Sequence, residues 1–146
     1  MKKLIILLIF TICATVSAQE IGIRLGSFYK SNVAIDGIVN FEDNTRLHGN
    51  ITFGDGIGAD LLYDFTVEKL AIEKLDFQYY FGMGLSTFIG DPFTLGINGE
   101  TGIEYLFKKT PITIGVDWRP QVNILTKTSL EILQFGFNVR YRINEL

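Results

Sequence analysis

The sequence is poor in the residues that most often carry cofactor or covalent chemistry. It has one cysteine and one histidine among 146 residues. A single cysteine excludes an intramolecular disulfide framework and a thiolate-rich metal site, and a single histidine leaves little for imidazole-based catalysis. Charge is scarce too, because 20% charged residues and a net charge of −3 exclude the basic surface of a nucleic-acid-binding domain. We therefore expect no cofactor, no metal site and no nucleic-acid partner.

Long apolar runs are confined to the N-terminus. Lys2 and Lys3 precede residues 4–12, a run that is apolar except for Thr11, and Val16-Ser17-Ala18 supplies the small residues of a cleavage site. This pattern predicts a signal peptide over residues 1–18. An anchor helix or lipid attachment at Cys13 fits the residues less well. No later run approaches the about 20 apolar residues of a membrane-spanning helix. Residues 19–146 are therefore expected to form one domain, either an exported soluble protein or an outer-membrane β-barrel.

Most of the remaining sequence alternates between apolar and polar or very small residues. Every second residue from Leu75 to Leu85 is large and apolar, whereas Asp76, Gln78 and Ser86 belong to the interleaved set. Such a period of two is typical of a β-strand whose faces meet different environments. Eight segments of this kind, separated by turn signals, predict eight antiparallel strands joined as hairpins. Longer connections are expected over residues 67–74 and 124–132, and a helix over residues 66–75 is an alternative.

The apolar face of the predicted strands decides the fold class. It carries no charged residue, and it holds far more large side chains than the about one dozen that fill a comparable barrel core. The interior of an eight-stranded barrel is only just wide enough for side chains to fill. The apolar face must then point outward, which predicts an all-β, eight-stranded, up-and-down transmembrane β-barrel. A soluble sandwich or barrel that binds an apolar ligand is the alternative.

The inward face then collects most charged residues of the strands. The predicted interior charge network consists of Arg24, Asp36, Asp60, Asp64, Asp76, Glu100, Glu104, Asp117, Arg119, Arg140 and Arg142. Buried charges need partners because desolvation is costly, so we expect a paired structural plug in preference to an ion-conducting path. Glycines on the same face provide space for these side chains: Gly22, Gly26, Gly58, Gly82, Gly84, Gly96, Gly102, Gly115 and Gly136.

The ends of the predicted strands carry aromatic residues and short connections. The aromatic residues near strand ends are Phe41, Phe53, Phe65, Phe93, Phe107, Trp118 and Tyr141. Aromatic girdles at both membrane interfaces are typical of outer-membrane barrels. With both termini periplasmic, the connections over residues 28–32, 54–57, 88–93 and 124–132 would face the cell exterior. None is as long as the surface loops that adhesins and receptors use, so no dedicated binding surface is expected.

Three segments give the chain a family resemblance. Residues 21–26 look like a first barrel strand, Gly115 to Pro120 like a D-W-x-P strand, and residues 135–143 like a closing strand. Together with the signal peptide, they resemble the small eight-stranded outer-membrane proteins of Gram-negative bacteria, the OmpA/OmpX architectural type. The resemblance implies an outer-membrane location, lipid surroundings and assembly by the barrel-assembly machinery, but no reaction. Members usually end on an aromatic residue, whereas this chain has Ile143 followed by three more residues.

His48 is the one residue that raises the question of catalysis. It lies on the polar face of a weak strand beside Arg46 and Asn50. Lipid-modifying barrel enzymes use a histidine with a serine and a carboxylate, and the hydroxyl must lie within about 3 Å of the base. No motif ties a hydroxyl to His48, so a hydrogen-bonded structural histidine is favoured. The sequence therefore predicts a non-enzymatic, monomeric outer-membrane barrel with no catalytic residue and a structural or interaction role.

Overall fold

The computed structural model describes residues 19–28, 31–41, 44–126 and 128–143. The predicted signal peptide, residues 1–18, lies outside this part of the chain. Within the described residues, no helix has the length and apolar character needed to cross a membrane. The strand segments are β1 (Glu20–Phe28), β2 (Ser31–Asn40), β3 (Arg46–Phe53), β4 (Ile57–Lys69), β5 (Phe77–Ile89), β6 (Thr94–Leu106), β7 (Ile112–Trp118), β8 (Gln121–Asn123), β9 (Ser129–Glu131) and β10 (Phe135–Arg142).

These segments form a closed antiparallel barrel of eight strands. Sequential neighbours pair from β1 to β7, and β10 pairs with both β7 and β1, which closes the cylinder. The segments β7 and β8 form one strand that is broken at Pro120, since proline has no N–H to donate to the ladder. The Arg119 N–H donates to Gln134 O at 2.8 Å. This hydrogen bond continues the ladder across the gap between β9 and β10, so these two segments likewise act as one strand. The predicted eight-stranded up-and-down barrel is confirmed.

The barrel is polar inside and apolar outside. Its strands alternate along most of their length, as in β3, where Arg46, His48 and Asn50 are buried while Ile51 and Phe53 are exposed. Thirty-five large apolar side chains are exposed and only five apolar side chains are buried among the described residues. The large residues therefore lie on the outer wall, as the sequence predicted. A sandwich would have enclosed this face between two sheets.

Two predicted connections are wrong in part. β4 continues to Lys69 through a bulge between Asp64 and Thr66, so residues 67–69 belong to a strand and residues 66–69 are not helical. The bulge shifts the alternation and brings Glu68 to the outer wall, where it accepts a 2.8 Å hydrogen bond from Tyr79 Oη. The outer face therefore does carry a charge. Residues 129–131 of the other connection form β9, which pairs with β8.

Gly84 on β5 marks a place where the strands approach too closely for a side chain. A Cβ at this position would overlap Leu61 O and come within 2.6 Å of Leu62 Cα, and both atoms belong to the backbone of β4. A Cβ at Gly49 on β3 would meet nothing nearer than Asp60 O at 3.9 Å. Backbone atoms cannot move aside without separating the two strands, so only the first position requires glycine.

We predict that Gly84→Ala destabilises the barrel by about 1–3 kcal/mol, the usual cost of overpacking. Gly49→Ala is the matched control and should change stability by less than about 0.5 kcal/mol. Urea titration of the folded protein, followed by the fluorescence of Trp118, measures both. Equal unfolding midpoints for the two variants would contradict the close approach of β4 and β5.

Candidate functional site

The enclosed interior of the barrel contains a network of ionised side chains. Six carboxylates, five arginines and one histidine are buried among the described residues: Glu20, Asp36, Asp64, Glu100, Glu104, Asp117, Arg24, Arg46, Arg119, Arg140, Arg142 and His48. The alternation of the strands directs these residues inward from all sides. Their charges balance if His48 is protonated. The interior therefore resembles one extended ion-pair network more than a cavity.

Arg140 on β10 links three other strands of the barrel. Its guanidinium donates to Glu20 on β1 at 2.9 Å, to Asp36 on β2 at 3.1 Å and to Glu104 on β6. A fourth hydrogen bond of 2.7 Å reaches Asn138 Oδ1 on its own strand. The planar fork of an arginine can satisfy several carboxylates at once, which a lysine ammonium does less well. Arg140 therefore ties β10 to strands on either side of the interior.

Arg46 on β3 crosses the interior to reach β6. Its Nε lies 2.6 Å from Asp64 Oδ2 on the neighbouring β4, and its Nη1 lies 2.7 Å from Glu104 Oε1 on β6. The guanidinium carbon also lies 4.2 Å from the ring centroid of Tyr80, a cation–π contact. Gly102 leaves the room for that ring, since a Cβ there would collide with the phenol.

His48 is fully buried between two carboxylates. Its Nε2 lies 2.6 Å from Asp36 Oδ1, and its Nδ1 lies 2.8 Å from Glu100 Oε1. Because carboxylate oxygens only accept, both contacts require an N–H and fit the imidazolium form. Arg119 Nη2 donates to the same Glu100 oxygen at 2.8 Å, and Arg119 also reaches Asn50 on β3. His48 is thus held at both nitrogens and lies away from the outer wall.

Arg24 and Asp117 pair closer to the end of the barrel opposite the chain termini. Arg24 Nε donates to Asp117 Oδ2 at 2.9 Å, and Asn138 Nδ2 donates to the same oxygen at 3.0 Å. A Cβ at Gly136 would collide with the Arg24 guanidinium, so the absence of a side chain on β10 makes the pair possible. The glycines predicted to give space do so here for one particular side chain.

The two ends of the barrel differ. At the end with the termini, a cavity of about 700 Å³ opens between residues that include Glu20, Asn40, Lys69, Gln78 and Arg142. At the opposite end, the buried ring of Phe88 lies against Gly56, Gly58 and Gly90. The wide polar mouth therefore belongs to the terminal end.

The structure brings most of the predicted interior charges together. Nine of the eleven are buried, while the side chains of Asp60 and Asp76 are 15% and 24% exposed. Asp60 lies 3.6 Å from Arg119, but Asp76 belongs to the loop after β4 and pairs at 3.1 Å with Lys108. Asp76 is therefore part of the rim and not of the interior.

Three members of the network were not in the predicted set. Arg46 and His48 lie on the same face of β3 as Asn50, so the two-residue period of this strand was sufficient to place them inside. Glu20 precedes the first apolar residue of β1, and only its pairing opposite Arg142 shows that the strand begins there. The tyrosine Tyr80 is also buried, because it belongs to the inward set of β5 despite its aromatic ring.

We predict that Arg140→Met destabilises the barrel by about 3–5 kcal/mol, because it leaves buried carboxylates without their partner. Lys108→Met is the matched control, since it removes an exposed rim cation and should cost no more than about 1 kcal/mol. Urea unfolding of both variants measures the difference. Similar losses in the two variants would show that the interior pairs are not specific.

No family model, no curated protein and no solved structure matches this chain. The function therefore has to be argued from the barrel itself: from which residues its wall presents outward and which it encloses.

Proposed function

We propose that this chain is a small outer-membrane β-barrel protein whose interior is filled by its ion-pair network and whose role is structural or in interaction, without catalysis. The observation that carries the proposal is the inverted distribution of side chains. Lipid is the solvent that suits an apolar wall around a charged interior. A soluble carrier of an apolar ligand would need the opposite arrangement, with its apolar residues enclosed.

The outer wall supports a membrane environment. Residues in the middle of the strands are large and exposed, and Leu61, Met83 and Leu85 are 58%, 59% and 59% exposed. Soluble monomers rarely expose continuous apolar surfaces of this extent. The one strand carboxylate that the bulge turns outward, Glu68, lies near the end of β4 and is hydrogen-bonded to Tyr79. A charge costs least in that position, close to the membrane interface.

Aromatic side chains mark both ends of the wall. Phe53 and Phe93 lie at the end opposite the termini, and Phe41, Phe107 and Tyr141 lie at the terminal end, all with exposed rings. Trp118 is exposed as well, and its indole N–H donates to Ile132 O at 2.6 Å. In outer-membrane barrels, girdles of aromatic residues flank the apolar band at both membrane interfaces. Two such bands are what a membrane-inserted barrel would use to set its depth.

The interior argues against catalysis and conduction. His48 is enclosed and bound at both nitrogens, so it cannot reach a lipid substrate on the outer wall. Arginines and carboxylates fill the cross-section between the polar mouth and Arg24, which supports a plug in place of a pore. A charged, hydrogen-bonded interior also keeps the narrow barrel from collapsing. We accordingly assign no reaction to this protein and expect it to act as a monomer in lipid.

Cell fractionation tests the location. The expressed protein should sediment with outer membranes, resist carbonate extraction, and migrate differently in SDS gels before and after boiling, because closed barrels resist SDS when cold. A periplasmic maltose-binding protein serves as the soluble control. Recovery of the protein in the soluble periplasmic fraction would refute the proposal.

A substitution on the wall tests the lipid contact directly. Met83→Arg near the middle of β5 should destabilise the protein in lipid vesicles by about 2–4 kcal/mol, the cost of an arginine at the bilayer midplane. Leu133→Arg, between β9 and β10 and closer to the end opposite the termini, is the matched control and should cost about 0–1 kcal/mol. In a soluble protein both changes would be nearly neutral, so equal unfolding midpoints would argue for water outside the wall.

A further inference from the structure

One part of the interior network is incompletely bonded. Asp64 gives its Oδ2 to Arg46, and Glu100 gives its Oε1 to His48 and Arg119. The other oxygen of each carboxylate, Asp64 Oδ1 and Glu100 Oε2, is buried without a hydrogen-bond partner among the described residues. The hydroxyl of Tyr80 is in the same condition. Buried polar atoms without partners are uncommon in folded proteins, and a bound ion can satisfy them.

The carboxylates of Asp64 and Glu100 lie close to His48. One ligand atom each from His48, Asp64 and Glu100 lies within 4.8 Å of the other two. The Tyr80 ring lies edge-on to the His48 ring, with 6.3 Å between their centroids. Bonds of about 2.0–2.2 Å from nitrogen and oxygen require the three donors to move closer together than their present limit of 4.8 Å when they bind a cation.

The surroundings of His48 resemble those of a metal-binding histidine. Asp36 holds Nε2 at 2.6 Å, which orients the ring and directs Nδ1 toward Glu100. A carboxylate behind the histidine is the usual outer partner of a ligating imidazole, and it raises the basicity of the nitrogen that binds. The ring needs no rotation to present Nδ1 to a cation.

The charge of the interior is compatible with a divalent ion. With the partly exposed Asp60 included, seven carboxylates face five arginines. A neutral His48 would leave two negative charges in excess, and a protonated His48 would leave one. A divalent cation that replaces the Nδ1 proton would remove the excess, and the displaced proton would go to solvent.

We infer that His48, Asp64 and Glu100 form a binding site for a divalent transition-metal ion of the zinc type, with the Tyr80 hydroxyl or a water molecule available as the fourth ligand. The donor set of one imidazole and two carboxylates suits Zn²⁺ and its neighbours in the first transition row. This assignment does not depend on whether the barrel lies in a membrane. It differs from the expectation from composition, because one histidine is sufficient when strands bring carboxylates to it.

The test uses the purified, folded, full-length protein without a histidine tag, stripped with a chelator and then supplied with Zn²⁺. After removal of free metal, we expect about one zinc per chain. Asp64→Asn and His48→Gln should each weaken zinc affinity at least about tenfold. Asp55→Asn, the same change in an exposed turn, should leave affinity unchanged. Absence of retained zinc, or equal affinity in all four proteins, would overturn the inference.

A second measurement needs no variant, and so it holds even if the substitutions impair folding. The chain has one histidine, so ¹⁵N-histidine labelling reports on His48 alone. Zinc should shift the Nδ1 resonance strongly, as direct coordination does, and leave Nε2 in its hydrogen-bonded position. Zinc that binds without moving the Nδ1 resonance would place the metal elsewhere and overturn the assignment.

Discussion

The fold depends on the pairing of carboxylates with arginines in an enclosed, water-poor space. The charged side chains lose their hydration when the barrel closes. Hydrogen bonds and ion pairs to other strands offset this desolvation cost. Arg46 and Arg140 illustrate the consequence, since each has a partner on a strand that is not its neighbour. The backbone ladders join adjacent strands, whereas these ion pairs hold the opposite walls at a set distance.

The same constraint explains the composition of the two faces. A narrow interior that must accommodate arginines needs positions without side chains, and Gly102 and Gly136 leave room for Tyr80 and Arg24. Most of the large apolar residues therefore cover the outer wall. A water-soluble barrel would separate these residue types in the opposite sense. The distribution of polarity is therefore the strongest physical argument for a lipid environment, and it does not depend on similarity to another protein.

The network is strong but not uniform. Around Arg140 every carboxylate has its donor, whereas Asp64 and Glu100 each retain one buried oxygen without a partner among the described residues. Arg46 Nη2 and Asn98 Oδ1 are buried without a partner in this part of the chain as well. Only Asp64 and Glu100, however, combine an unpartnered carboxylate oxygen with a nearby histidine, which points to a ligand. A structural barrel and an ion site are compatible, since an ion at this point would join β3, β4 and β6 in the same way as the arginines do.

Alternation, together with the turn signals and the small capacity of an eight-stranded interior, determined the strand count, the closed antiparallel barrel and the direction of each face. The alternation of β3 would also have placed Arg46 and His48 inside, because they lie on the same face of the strand as Asn50. The partners of these residues could not be read from the sequence, since they depend on which strands face each other across the interior. The bulge after Asp64 was not predicted for a related reason. It depends on the pairing of β4 with β5 beyond the predicted strand end, and only that pairing turns Glu68 outward.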